Sequence, residues 1–342
     1  MPGRRFAVTP IRPIPPRRQL PAVLTLGVLA LAACRGPEPG ATPERITIPA
    51  GASFSQVTDS LVARGVVEHR GWFKFLARVR GLDRSVQAGL YEVRPGESAW
   101  QVLNLLRDGR VVTTRFTVPE GLSLFEVADL AQRELQIPRD SVIAAARDPR
   151  EAEALGLAGP TLEGFLLPDT YQLPAGTDGR DLVRYMGRAF LRAWRPEWAR
   201  QLDSLGLTRR QAVTLASIVE GEARVDDERA IIAGVYLNRL RIGMALQADP
   251  TVQYAIELKA GKPKPRLYEK DYQIPSLYNT YLHPGLPPGP INSPGLRSIE
   301  ATLHPADVPF LYFVAGPEGR HRFSRSYREH LAAVAAARRE RR

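Results

Sequence analysis

One short phrase occurs three times in the first part of the chain. It reads Ile46-Thr47-Ile48-Pro49-Ala50-Gly51-Ala52-Ser53, then Tyr91-Glu92-Val93-Arg94-Pro95-Gly96-Glu97-Ser98, then Phe116-Thr117-Val118-Pro119-Glu120-Gly121-Leu122-Ser123. Each copy sets a β-favouring run before Pro, a Gly-x-Ser turn and an apolar-periodic stretch. Pro and Gly end a strand, and the Ser hydroxyl can accept from the first helical amides, which have no partner inside the helix. Val57/Leu61, Val102/Leu105/Leu106 and Val127/Leu130 give those helices an apolar face. Short strands alternating with capped helices predict an α+β fold, with residues 45–135 as a small β-α module and 136–335 as a larger mixed α/β domain.

The larger domain is organised around Leu215–Thr251. Thr208 precedes Gln211 by three residues, the capping-box spacing, and Val213, Leu215, Ala216, Ile218 and Val219 continue as an apolar helix. Glu220 ends that run. A carboxyl among apolar neighbours loses hydration, which raises its pKa and suits it to general-acid work near neutral pH. Spacing alone equally allows a helical hairpin on which Glu220 is solvated. Glu222 falls on a different side of the helix. Asp226-Asp227 precede a second helix whose apolar face is Ile231, Ile232, Val235, Tyr236 and Leu240.

Further polar groups extend the candidate site. Gln247, Asp249 and Gln253 have the reach to hold sugar hydroxyls, although Asp249 before Pro250 equally fits a helix cap. Upstream, Phe165 and Tyr171 read either as a sugar-stacking wall, with Glu163 and Asp169 orienting hydroxyls, or as a loop buttressing the Glu220 helix. Residues 137–157 read as helical with Asp140-Ser141 at the cap, and 181–205 as a helix pair carrying Trp194 and Trp198 into the core. The Pro/Gly-rich loop from Tyr278 to Gly295 is long enough to suggest function. Leu311–Val314 and His321–Ser324 read as strands, followed by an Ala/Arg-rich helix and a basic tail, 336–342. Trp72, Phe73, Phe75 and Leu76 read as a core-facing helix face.

Five segments, LEGFLLPDTYQL (162–173), SIVEGEA, NRLRIGMALQADPTVQYA, YNTYLHPGLPPGPINSPG and HPADVPFLYFVAGPEGRHRFS, resemble the endolytic murein transglycosylase family called MltG or YceG-like; the last four cover about the final third of the chain. The resemblance implies a lytic transglycosylase that cuts inside peptidoglycan strands, with Glu220, the first Glu of IVE, as its acid. No cofactor or metal is expected. Gln247, Asp249, Asn279 and His321 would form the polar shell around the sugar, His321 by its match to the family's position. It also implies peptidoglycan synthases as partners, and a LysM-like subdomain before the catalytic one, which the repeats resemble. A plain β-α scaffold without sugar affinity fits the repeats as well. Two other functional classes stay open: a water-using muramidase with Glu222, Asp226 or Asp249 as second carboxylate, and a non-catalytic wall-binding scaffold.

The first 34 residues read as a targeting segment. Arg4, Arg5, Arg12, Arg17 and Arg18 precede the apolar run Leu20–Ala33, which is short for a bilayer span, and Leu31-Ala32-Ala33-Cys34 resembles a lipobox. Cys34 is the only cysteine, so it is expected to carry lipid rather than a disulfide; a short membrane anchor is the alternative. Residues 35–44 read as a flexible tether. Both readings place the body outside the cytoplasm, at the membrane of a bacterial envelope. The net charge of +11 loses five arginines and no acid with residues 1–33, leaving +6, which suits an anionic wall or lipid surface. No nucleic-acid recognition motif accompanies the basicity. The five histidines lack the i, i+4 spacing of zinc proteases, and no Gly-x-Ser-x-Gly elbow is present.

Overall fold

The computed structural model describes residues 42–49, 51–82, 86–94, 96–157, 159–316 and 319–340. The leader, Cys34 and most of the tether lie outside the described residues. The chain divides into two compact units between Val112 and Thr113.

The first unit contains β1 (Glu44–Ile48), α1 (Phe54–Ala63), α2 (Arg70–Val79), β2 (Gly89–Val93) and α3 (Ala99–Arg107). β1 and β2 pair antiparallel, with Ile46 opposite Tyr91. Ile46, Val57, Leu61, Phe73, Tyr91, Val102 and Leu106 form one buried cluster. The Gly-x-Ser turns behave as their chemistry predicts. Gly51 and Gly96 adopt positive φ, which a side chain would resist. Ser53 and Ser98 then close capping boxes with Gln56 and Gln101. The α2 face differs from the expected one: Phe73 is buried, whereas Trp72 and Phe75 are 56% and 55% exposed. Phe73 and Ala77 fill the face that meets the core, so a helical projection leaves Trp72, Phe75 and Val79 pointing away.

The second unit opens with the third copy of the phrase. β3 (Thr113–Thr117) leads through Gly121, again at positive φ, to a Ser123–Glu126 capping box on α4 (Leu124–Leu135). β3 pairs with β4 (Thr170–Pro174), not with the strands of the first unit. The repeat is therefore a local strand-to-helix device used in two separate bodies. α5 (Arg139–Ala146) starts after Pro138 with no side-chain cap, so Asp140-Ser141 does not cap it; Asp148 caps α6 (Pro149–Ala154) instead. Next come α7 (Gly179–Ala193) and α8 (Trp198–Leu205), with Trp198 buried edge-on to Trp194. Then follow α9 (Arg209–Glu222), α10 (Arg229–Arg241), α11 (Asp249–Ala260), α12 (Leu296–Leu303), the antiparallel pair β5 (Tyr312–Ala315) and β6 (His321–Ser324), and α13 (Tyr327–Glu340).

α9 is the centre of this unit. Thr208 and Gln211 form its capping box, and every residue from Ala212 to Val219 is buried. It is enclosed on all sides rather than amphipathic, and two hydrophobic clusters share it. Phe165 is buried in the first of these and Tyr171 packs at its edge, with the Tyr171 hydroxyl bonded to the Leu167 carbonyl. They buttress the core and form no stacking wall. Asp169 accepts from the Thr170 amide, as turn chemistry requires. The long loop before α12 threads against α9: Asn292 donates to the Ser217 carbonyl at 2.9 Å and the Ile291 amide donates to the Ser217 hydroxyl at 3.1 Å.

Candidate active site

The last turn of α9 carries two glutamates on different sides, because two residues advance a helix by about 200°. Glu220 points to α10 and α12. Its Oε1 accepts from Arg229 Nη2 at 3.1 Å and its Oε2 from the Gly295 amide at 3.0 Å. The pair is nearly sealed, with side-chain exposures of 10% and 8%. Arg229 also holds Asp226 at 2.8 Å and Ser298 at 2.9 Å. Glu220 therefore clamps the loop before α12 to the α9–α10 corner, and both its oxygens are engaged.

Glu222 points the other way, into a cavity of about 350 Å³. Its Oε1 accepts from the Tyr236 hydroxyl at 3.0 Å. Burial pushes the Glu222 carboxyl up to about 7; the Tyr236 hydrogen bond opposes the rise and the charge of Asp249 adds to it. A group lining the cavity is thus placed to give and take a proton near neutral pH. Gly221 makes the arrangement possible: a Cβ there would lie 2.7 Å from Pro250, so only glycine lets the start of α11 close against the end of α9.

That close approach brings Asp249 to the same cavity. Ala248, not Asp249, is the N-cap residue of α11, without a side-chain bond. Both Asp249 oxygens turn instead to tyrosines, accepting from Tyr281 at 2.7 Å and Tyr272 at 3.3 Å. Gln247 also lines the cavity, on backbone with φ +48°, a strained conformation for a residue with a side chain. His321, on β6, is the third expected residue found there. Its Nδ1 lies 2.7 Å from Glu228, which also accepts from the His321 amide, so the ring is held firmly.

Glu220 and Asn279 are not among the cavity-lining residues. Asn279 is fully buried; its amide donates to the Tyr272 and Ile274 carbonyls, and its Oδ1 accepts from the Tyr281 amide. It shapes the loop that presents both tyrosines. Gln253 donates to the Pro265 carbonyl. Asp226 is taken by Arg229 and Arg297.

Several cavity residues carried no signal in the sequence. Arg239 donates to the Leu311 and Leu246 carbonyls, and burial lowers its pKa. Tyr312 and Phe313 come from β5, and His330 from α13 stacks on Tyr312 with ring centres 5.3 Å apart. Burial lowers the pKa of His330. For Glu222 the available signal was Gly221 beside it, a mark of close backbone approach.

A second buried carboxylate group lies away from this cavity. Glu163 accepts from the Leu124 amide at 3.0 Å and the Tyr254 hydroxyl at 2.8 Å, and burial pushes it up to about 8. Glu257 accepts from Ser123 at 3.0 Å and is pushed up to about 7, again mainly by burial.

Comparison with known proteins agrees with the resemblance seen in the motifs. An endolytic murein transglycosylase of Bacillus subtilis is 32% identical over 311 residues, spanning 85% of this chain and 84% of that protein. One from Streptococcus pneumoniae is 30% identical over 319 residues, and the alignment covers 57% of its length, little more than half. The crystal structure of a yceG-like protein from Listeria monocytogenes superposes with a TM-score of 0.57 at 30% identity, covering 86% of this chain and 99% of that one. With the model of the YceG-like family matching residues 46–336, the chain belongs to that family.

Proposed function

We propose that the protein is an endolytic peptidoglycan lytic transglycosylase of the bacterial cell envelope, with Glu222 rather than Glu220 as its acid. The observation that carries this is the Glu222 carboxyl, which lines the cavity beside Asp249 and is pushed up by burial to about 7. Glu222 gives its proton to the β-1,4 oxygen between N-acetylmuramic acid and N-acetylglucosamine, and that C–O bond breaks. The muramyl C6 hydroxyl then attacks C1, and the Glu222 carboxylate takes the hydroxyl proton as the 1,6-anhydro ring closes. An internal nucleophile supplies proximity without water or a second catalytic carboxylate. Burial raises the Glu222 pKa most, and the charge of Asp249, which is held by two tyrosine hydroxyls, adds to the rise. Gln247 and His321 orient sugar hydroxyls, and Tyr281, Tyr312 and Phe313 offer aromatic faces to pyranose rings.

Mass spectrometry of products from purified peptidoglycan tests the assignment. Anhydro-muramyl ends are expected from the parent and from Glu220→Gln in its folded state, and none from Glu222→Gln. The opposite pattern returns the acid to Glu220. Reducing ends instead of anhydro ends would make the enzyme a water-using muramidase, with Asp249 as second carboxylate.

The same reading makes the first unit a LysM-like module that holds the glycan. Its strand–helix–helix–strand order supports this, as does a cavity of about 390 Å³ where β1 turns into α1, lined by Thr47, Gly51, Gln56 and Ser60. Retention of N-acetylglucosamine oligomers, lost with Gln56→Ala, checks it. Residues 45–112 would then be the module and 113–335 the catalytic body. A lipid on Cys34, supported by the sequence around it, would hold the enzyme at the membrane beside peptidoglycan synthases, where it would end nascent strands. A Cys34→Ala chain released from membranes would agree.

A further inference from the structure

The first unit carries an exposed aromatic surface that neither the cavity nor the sugar-binding reading uses. Along α2, Trp72, Phe75 and Val79 are 56%, 55% and 63% exposed, and the Trp72 and Phe75 rings stack with centres 5.7 Å apart. Residues 70–80 contain four basic side chains and no acid. Arg70 is paired with Asp59, and Lys74 donates to Ser55. Arg78 and Arg80 have no ion-pair partner among the described residues, and Arg80 lies 4.6 Å over the ring of Trp100, itself 36% exposed. An apolar stripe headed by indole and edged by arginines matches a lipid–water boundary, where aromatic rings sit at headgroup level and basic groups meet anionic lipid.

We infer that α2 docks on the membrane surface, the occupant being the anionic headgroup layer of the bilayer that holds the N-terminus. The inference goes beyond the catalytic reading and rests on the N-terminal anchor. Chain length allows the contact. Glu44 opens β1 eleven positions after Ala33, the last apolar residue of the leader, a reach of about 35–40 Å when extended. A body the size of residues 42–112 is about 30 Å across, so any of its faces can meet the bilayer. Charge and apolarity then select α2. Docked this way, the first unit would sit flat at the membrane.

The test uses the full chain in vesicles with bromine-labelled acyl chains, with and without phosphatidylglycerol, reading tryptophan fluorescence. Quenching is expected with phosphatidylglycerol and little in phosphatidylcholine alone. Trp72→Phe should remove about half of it or more, since interfacial indoles lie nearest the labelled chains. Arg78→Glu with Arg80→Glu should abolish the lipid dependence. A chain that floats with the vesicles but shows no quenching, or the same quenching after Trp72→Phe, overturns docking and leaves the anchor standing. A chain that fails to associate with either vesicle overturns both. A dimer that forms without lipid and is dissolved by Trp72→Phe would assign the surface to a second copy, and equally overturns the inference.

Discussion

Glu222 and Glu163 sit in two regions of the same unit with nearly the same dressing. Glu163 is buried and Glu222 half-buried; each accepts from a tyrosine hydroxyl and has its pKa pushed up by lost hydration, Glu222 to about 7 and Glu163 to about 8. They differ in what lies beyond the carboxyl. Glu222 faces a cavity shared with Asp249, Gln247 and His321, whereas Glu163 faces the amide that opens α4 and the core around it. A raised pKa therefore marks desolvation, and only access to a substrate-sized space turns desolvation into acid catalysis. Glu220 is a third case: its side chain is nearly sealed, but committed to an ion pair.

The largest effect that can break this comparison is the loss of activity in Glu222→Gln. A drop of about 10²–10⁴-fold in kcat is expected with the fold intact, against a few-fold change at most in Glu163→Gln. Comparable losses in both, measured as anhydro-muramyl product, would mean that access does not separate them.

Stability should separate the third case. Glu220→Gln leaves Arg229 with Asp226 as its one charged partner and loosens the Gly295 amide, costing about 1–3 kcal/mol in urea unfolding. If Glu220→Gln instead abolishes turnover at unchanged stability, the ion-pair account fails.

The two raised carboxyls predict separate readouts of pH, one in activity and one in stability, both falling as pH rises. Glu222 must be protonated to act, so kcat/KM should fall as pH rises through about 7. Glu163 binds its proton more tightly folded than unfolded. Its contribution to stability is complete below its ordinary value of 4.5, declines as pH rises and is lost above about 8. Glu163→Gln should flatten that slope and leave the activity limb in place.

The finest test concerns the neighbours of Glu222. Asp249→Asn removes a charge that raises its pKa, and should move the alkaline limb to lower pH. Tyr236→Phe removes a hydrogen bond to the charged form, and should move it to higher pH, each by about half a unit to one unit. Shifts in the same direction would remove Glu222 from the profile.

Much of the local structure was legible in the chain because its causes are local. Gly-x-Ser turns cap helices wherever they occur, so Ser53, Ser98 and Ser123 announce three helix starts, and Thr208 a fourth. The family was legible too, because long motifs persist in order. What the phrase could not say was which strand each copy pairs with: β1 takes β2, while β3 takes β4 from some fifty residues further along. Hydrogen-bonding edges of strands do not encode their partners; packing of the whole unit selects them.

The site divides in the same way. The sequence by itself determined that two glutamates stand in the last turn of α9, with Gly221 between them and Asp249 after the second helix. Only the tertiary structure decided their surroundings. The approach of Pro250 to Gly221 and the placing of Arg229, Tyr236 and the loop shaped by Asn279 engage Glu220 and leave Glu222 facing the cavity. The physical reason is that hydration and charge pairing, which set what a carboxyl can do, depend on atoms far away in sequence and close in space.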